Sequence, residues 1–352
     1  IMAMFEFKEI ARENEFNPLK IRDDTPFTQG LIYGKWQEME VRKVRRFEIK
    51  QGEETLGFFQ VIKYELPFSK NLLYIPHGPV LKATGYLSDE FLKIFRENLV
   101  EIGKEENAIF VRFDFFLLKS DFKNPQSRTS DLFSEYFKKV PLYAYHSSYF
   151  QPKFEWLVDL TKTEEEILSR MHPKTRYNIG LAQRRVIKIE IISENFKKYF
   201  SDFYRLLEET AKRGDFNLHP KIYYENIFNA LDWENAFLVV AGYEGKILLV
   251  NLVLLYGKIA YFTFGGSSGE HKNLMFSHLS QWEAIKETKK RGFDIYNFGG
   301  VDYNDNYKTY QGISFFKKRF GGELLEYSDS YDAVLKPFWY WLYNLYKKFQ
   351  IF

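Results

Sequence analysis

No cysteine occurs in the 352 residues, which excludes disulfides, thiolate nucleophiles and cysteine-ligated zinc together. Histidine is scarce, six residues without HxxxH or HExxH spacing, so no metal is expected. An excess of one charge is missing as well: 50 Lys and Arg face 47 Asp and Glu, a net charge of +3. A dedicated nucleic-acid binder is far more basic, and any RNA contact has to be local. No run approaches the ~20 apolar residues of a membrane span. The opening IMAMFEFKEIAREN is charged and short of apolar residues, unlike a signal peptide. The expectation is a cytoplasmic protein.

Aromatic residues are plentiful instead, 36 Phe and 25 Tyr, 19% with tryptophan. A Phe-rich core accounts for them more simply than base stacking does. The length predicts two domains, each able to bury its own core.

In chain order, Phe7 to Glu15 reads as a short amphipathic helix. A second helix, capped by Thr25 or Thr28, runs to about Gln37, and Val41 to Ile49 follows as a strand. Thr55 to Leu66 and Leu72 to Ile75 read as a hairpin, closed by Pro76 and Gly78-Pro79. Ser88 caps a helix to about Lys104, with Asp89 and Glu90 in its first turn and a stripe of Phe91, Leu92, Phe95, Leu99 and Ile102. AIFVRFDFF is a strand interrupted by Asp114, a carboxylate that either faces solvent or is held in a cleft with a shifted pKa. The polar stretch Lys119 to Ser134 reads as loop and short helix.

The second half opens near Pro152 with the strand Phe154 to Leu160. TKTEEEILSRM then starts a helix capped by Thr161 or Thr163. HPKTRYNIGLAQRR is the clearest basic patch: Lys174, Arg176, Arg184 and Arg185 on one helix could meet phosphate or simply be a solvated face, and Tyr177 could stack. A long helix ends at Arg213-Gly214, and another starts after Pro220. An arginine braced there by Gly214 and Phe216 matches phosphate geometry. Phe237 to Ala241, Lys246 to Leu255 and Ile259 to Gly265 are strands joined by YEGK and YGK turns. Met275, Leu279, Trp282 and Ile285 mark a helix ending near Arg291, with Gly292 after it. The strand Phe293 to Phe298, Gly299-Gly300, a polar loop through Asn306 and GISFFKKRFGG follow. That last segment reads as a strand edge presenting Lys317, Lys318 and Arg319. The closing PFWYWLYNLY helix is aromatic all round: it either packs on the first domain or rests on a membrane surface.

The segments YIPHGPV (74 to 80), QPKFEWLVDL, KTRYNI, TAKRGDFNLHPKIYYENIF (210 to 228), YFTFGGSS (261 to 268), IYNFGG (295 to 300) and FFKKRFGG (315 to 322) occur in one order along nearly the whole chain. Together they resemble the FemABX family of aminoacyl-tRNA-dependent transferases that build peptidoglycan cross-bridges. The resemblance implies an α/β (α+β) fold of two GCN5-related N-acetyltransferase-like domains in tandem. The first is placed at residues 1–151 plus 328–352, the second at 152–327, with the terminal strand and helix returning to the first.

It also implies the substrates, aminoacyl-tRNA and UDP-N-acetylmuramoyl-pentapeptide or lipid II, with no other cofactor and a monomeric, cytoplasmic or membrane-associated enzyme. Lys317 corresponds to the family's oxyanion-stabilising lysine and Phe316 to a wall of the aminoacyl pocket. Arg213 and, by alignment on Gln29, Lys35 correspond to the diphosphate contacts. Asp114 stands near an acidic residue facing the substrate amine, Tyr261 lines the cleft or is an ordinary core tyrosine, and Arg176 belongs to the KTRYNI segment. Without a heptad run, the second domain is expected to lack the coiled-coil arm of longer relatives. Two rivals share the fold: an acyl-CoA N-acyltransferase, disfavoured because GEHKNLMFSHL lacks the Q/RxxGxG/A turn, and a non-catalytic RNA- or glycan-binding module.

Overall fold

In a computed structural model of the chain, residues 5–83, 86–116, 129–141, 150–185, 187–232, 234–302 and 308–349 are described, with backbone alone at 129–132 and 308–310. The elements in order are β1 (Phe5–Glu9), α1 (Leu31–Met39), β2 (Val44–Gln51), β3 (Glu54–Leu66), β4 (Lys70–Ile75), β5 (Val80–Leu81), α2 (Asp89–Glu105), β6 (Ala108–Asp114), α3 (Thr129–Tyr136) and β7 (Lys138–Lys139). The chain continues with β8 (Phe154–Asp159), α4 (Glu164–Arg170), α5 (Pro173–Gln183), β9 (Lys188–Ile192), α6 (Phe200–Gly214), α7 (Lys221–Ala230), β10 (Ala236–Tyr243), β11 (Lys246–Tyr256) and β12 (Ile259–Ser267). It ends with α8 (Phe276–Lys290), β13 (Ile295–Gly300), α9 (Lys308–Lys318), β14 (Glu323–Glu326), β15 (Ser330–Val334) and α10 (Pro337–Phe349). Two compact units result, Ile1–Lys153 with Glu326–Phe352, and Phe154–Leu325.

The first unit is built on a sheet of order β1-β2-β3-β4-β6-β15-β7, with β5 paired to β3. Among the described residues of this unit only β4 and β6 run parallel, as the α2 crossover between them requires. Ser88 caps α2 as its sequence predicts, Oγ accepting from the Phe91 N–H at 3.1 Å. The α2 stripe Phe91, Phe95, Leu99 is fully buried on the sheet. Phe5 and Phe7 join this cluster, at 5.3 and 5.9 Å from Phe91. They do so from a strand, and Phe7 thus lies outside the helix expected over Phe7 to Glu15: β1 pairs with β2, and the alternation Phe5-Phe7 has the period of a strand. The N-cap of α1 is Gly30, because Thr28 Oγ1 donates to the Pro76 carbonyl at 3.3 Å instead. The chain's tail returns here, β15 pairing antiparallel with β6 and Tyr340 and Tyr343 of α10 packing on Phe110. Of the Lys119 to Ser134 stretch, residues 119–128 lie outside the described residues.

The second unit repeats the plan, with sheet order β9-β10-β11-β12-β13-β8-β14 and again a parallel pair, β12 with β13, joined through α8. The turn between β10 and β11 places Glu244 and Gly245 at φ of 47° and 78°, the two left-handed residues of a tight hairpin. The start of α4 is a full capping box: Glu166 N–H to Thr163 Oγ1 at 3.2 Å, Thr163 N–H to Glu166 Oε2 at 2.8 Å. Against the strand reading, FFKK closes a helix, α9. Its apolar residues follow a helical period, Phe316 and Phe320 lying 5.1 Å apart.

Candidate active site

The two parallel strands of the second unit part company. They pair only from Ile259 to Tyr261 and from Ile295 to Asn297. Past that point β12 follows β11 through a bulge at Leu252/Val253 to Ser267, while β13 follows β8 with a bulge between Asn297 and Gly300. A bulge adds a residue, bends the strand and frees backbone groups. Glycine allows it here: Gly299 has φ +73°, and a Cβ on it would come 3.8 Å from Lys317 Nζ.

Lys317, in the last turn of α9, reaches this opening. Its side chain is only 9% exposed, and Nζ donates to the Gly300 carbonyl at 2.8 Å. Burial pushes its pKa down to about 8, opposed by the charge of Glu155 on β8. The group is thus mostly an ammonium at neutral pH, yet poorly hydrated. Asn297 braces the surroundings, its Nδ2 donating to Glu155 Oε2 at 2.7 Å and its Oδ1 accepting from the Gly299 N–H at 2.7 Å. Neither Glu155 nor Asn297 is marked out by the sequence reading, although both lie in quoted segments. A buried carboxylate in FEWLVD and a buried amide in IYNFGG are the signals that could have found them.

Phe316 precedes Lys317 and packs edge-on against His278 of α8 at 5.2 Å. Burial lowers the pKa of His278 to about 4, so the ring is neutral and serves as an aromatic wall. Tyr261 is buried on β12 at the last residue paired with β13, at the edge of the opening. Lys318 turns elsewhere, Nζ donating to the Asp302 carbonyl at 2.9 Å. Adjacent residues on a helix diverge by about 100°, so the two lysines part even though they are not on a strand.

Arg213 stands at the far end of β12. Its Nη2 donates to Ser267 Oγ at 3.0 Å and to the Ser267 carbonyl at 3.1 Å, which holds the exposed guanidinium by one edge. The helix carrying it reaches the strand closely because residue 266 is glycine; a Cβ there would strike the backbone of Leu206 and Leu207. Arg176, expected at phosphate, is engaged in the fold: Nη1 donates to the carbonyls of Ser169 and Met171 at 3.0 and 2.6 Å, closing the C-terminus of α4. Tyr177 is exposed beneath Lys174.

The two remaining candidates belong to the first unit. Lys35 is exposed on α1, 3.7 Å from Glu13, while the neighbouring Gln29 is buried, donating to the Pro76 carbonyl at 2.6 Å and accepting from the Gln60 N–H at 2.9 Å. Asp114 is enclosed rather than open. It accepts from the Tyr74 and Ser330 hydroxyls, and burial raises its pKa to about 6.

The segment entering α8, where an acyl-CoA enzyme turns on glycines, is a 3-10 turn at Lys272–Leu274 between His271 and Met275, both left-handed at φ 53° and 59°. It offers no open glycine nest for a pyrophosphate.

The sequence model of the FemAB family matches residues 13–244 and 243–348. The chain belongs to the FemAB family. It is an aminoacyltransferase of that family with two acetyltransferase-like domains. The lipid II:glycine glycyltransferase of Staphylococcus saprophyticus is 23% identical over 356 aligned positions, 83% of this chain and 84% of that protein. The crystal structure of FemX superposes with a TM-score of 0.81 at 20% identity, covering 96% of this chain and 99% of that one. A tandem GNAT protein from the clavulanic acid biosynthesis pathway shares the fold at a TM-score of 0.52 and 9% identity, covering 93% and 97%. No helix among the described residues of this FemAB chain is long and apolar enough to cross a membrane.

Proposed function

We propose that this chain moves an amino acid from aminoacyl-tRNA to an amine of the stem peptide of a peptidoglycan precursor, the soluble UDP-N-acetylmuramoyl-pentapeptide or lipid II, extending the cross-bridge. The observation that carries the reading is Lys317: a desolvated ammonium held by one carbonyl at a glycine bulge where two parallel strands separate. In the reaction the amine forms a C–N bond to the ester carbonyl, the C–O bond to the terminal ribose breaks, and negative charge gathers on the carbonyl oxygen in between. A preorganised cation in a poorly hydrated site stabilises that charge. The ester is already activated, so no serine or cysteine nucleophile is needed.

Phe316 and Tyr261 then wall the aminoacyl group, Arg213 holds a diphosphate, and Arg176 is assigned to holding α4 rather than to phosphate. The assignment leaves Asp114 out of the proton transfer, since both its oxygens are taken by hydroxyl donors; the acceptor's own carboxylate or water takes the ammonium proton. The enzyme needs no cofactor beyond its two substrates and works as a monomer in the cytoplasm. A transfer assay with charged tRNA and each acceptor, read by mass spectrometry of the muropeptide, tests this. One added aminoacyl residue supports the reading. Transfer from acyl-CoA with none from tRNA overturns it.

A further inference from the structure

Helix α10 has two apolar faces, and the fold of its unit uses one. Tyr340 and Tyr343 lie on Phe110 of β6, with ring centroids 5.3 and 5.0 Å away. Residues 338, 341, 342, 345 and 349 recur at the spacing of a single helical stripe, and this stripe points the other way. Phe338, Trp341 and Phe349 are 65%, 58% and 65% exposed, and Leu342 and Leu345 are half-buried. The ridge continues onto the β3–β4 turn, where Phe68 is 75% exposed. The rings follow one another from Phe68 to Trp339 at 5.7 Å, Trp339 to Phe338 at 5.9 Å and Phe338 to Trp341 at 6.3 Å. A contiguous exposed aromatic ridge of this kind marks an interaction surface.

Charge identifies what covers it. From Lys336 to Phe349 there is no Asp or Glu. Cations flank the ridge on both edges: Lys70 lies 5.1 Å over the Trp339 ring, Lys138 lies 5.1 Å over Tyr340, and Lys348 is exposed beside the stripe. Lys138 and Arg96 also line a cavity of about 410 Å³ next to Trp341; the one carboxylate there, Asp332, is already paired with Arg112. At 13 residues the helix is about 20 Å long, too short to cross a bilayer but suited to lying along one. A second copy would bring the same lysines face to face across a symmetric contact. We propose that this face docks on the surface of an anionic phospholipid bilayer, with Phe68, Phe338, Trp341 and Phe349 at the boundary of head groups and acyl chains and Lys70, Lys138 and Lys348 against phosphates. The inference stands whichever acceptor the enzyme uses.

Co-sedimentation of the full chain with vesicles of phosphatidylglycerol and phosphatidylcholine at 1:2, compared with phosphatidylcholine alone, tests it. The wild type is expected to sediment with the anionic vesicles and largely not with the neutral ones. Phe338→Ser with Trp341→Ser is expected to weaken anionic-vesicle binding about tenfold or more, and Lys70→Glu with Lys348→Glu to reduce it to the neutral-vesicle level. Should the double aromatic variant not fold by circular dichroism, Phe349→Ser at the helix end reads the same face. A chain that stays in the supernatant with both vesicles, or binding untouched by the aromatic variants, overturns the proposal. So does a dimer in sedimentation velocity that the aromatic substitutions dissolve, which assigns the face to a second copy.

Discussion

The two units share a run of six strands, four antiparallel strands followed by one parallel and one antiparallel partner, and use the parallel pair in opposite ways. In the first unit β4 and β6 stay paired from Asn71–Ala108 to Ile75–Phe113. The ground beside them is locked by ions and hydroxyls. Arg112 Nε and Nη2 grip Asp332 bidentately at 2.8 Å each, Tyr340 donates to Asp332 at 2.9 Å, and Asp114 takes the Tyr74 and Ser330 hydroxyls. In the second unit the matching pair separates after three residues, glycines let one strand bulge, and a single lysine occupies the gap. One topology therefore gives a pair sealed by polar residues that satisfy each other or a pair opened around one desolvated lysine.

The comparison breaks first where the lock is strongest. Asp332→Ala leaves Arg112 charged and without its carboxylate in the core, and is expected to cost about 3 to 5 kcal/mol. Urea unfolding checks it; a loss below about 1 kcal/mol would make the network ornamental. Lys317→Ala is the opposite case. Turnover is expected to fall by about 10² to 10³ with KM for the muropeptide nearly unchanged and unfolding little affected. Because the Lys317 pKa is lowered to about 8, the wild-type rate should also decline as pH rises through that value and the ammonium is lost. Lys318→Ala, at a side chain bonded to the Asp302 carbonyl, is expected to keep most activity. Near-normal turnover in both variants would place oxyanion stabilisation elsewhere.

Asp114 sharpens the contrast through pH. Its folded pKa of about 6 exceeds the ordinary 3.8, so the folded state prefers the protonated acid. That preference contributes fully below pH 3.8 and is lost as pH rises through 6, a change of about 3 kcal/mol at most. Asp114→Asn cannot titrate, and the stability gap between wild type and variant should shift by that order, in the variant's favour, between pH 4 and pH 7. An unchanged gap refutes the assignment. The smallest effect is expected at Arg213, the proposed diphosphate contact. Arg213→Ala should weaken binding of a uridine-diphosphate ligand by about 1.5 to 3 kcal/mol. Calorimetry with equal affinities for wild type and Arg213→Ala would remove Arg213 from the site.

The sequence by itself determined the family, the tandem fold and most elements, because those rest on local signals. Ser88 and Thr163 announce their helices, Glu244-Gly245 announces a hairpin, and seven short segments fall in one order. It also pointed to Lys317, but on a strand. FFKK has apolar residues at spacings that suit either period, and only packing of Phe316 and Phe320 against His278 selects the helix. Phe7 to Glu15 read as a helix, and pairing with β2 instead places Phe5–Glu9 in a strand. What tertiary structure alone decided is which polar groups are satisfied. Arg176 is one of several candidate phosphate ligands in the sequence, and the fold shows it on the carbonyls of α4; Asp114 reads as facing solvent or held in a cleft, and the fold encloses it between two hydroxyls. Glu155 and Asn297 become visible only when β8 and β13 bring these two side chains, 142 residues apart in the chain, into a hydrogen bond. Hydrogen-bond satisfaction and desolvation depend on neighbours distant in the chain, and no local pattern encodes those.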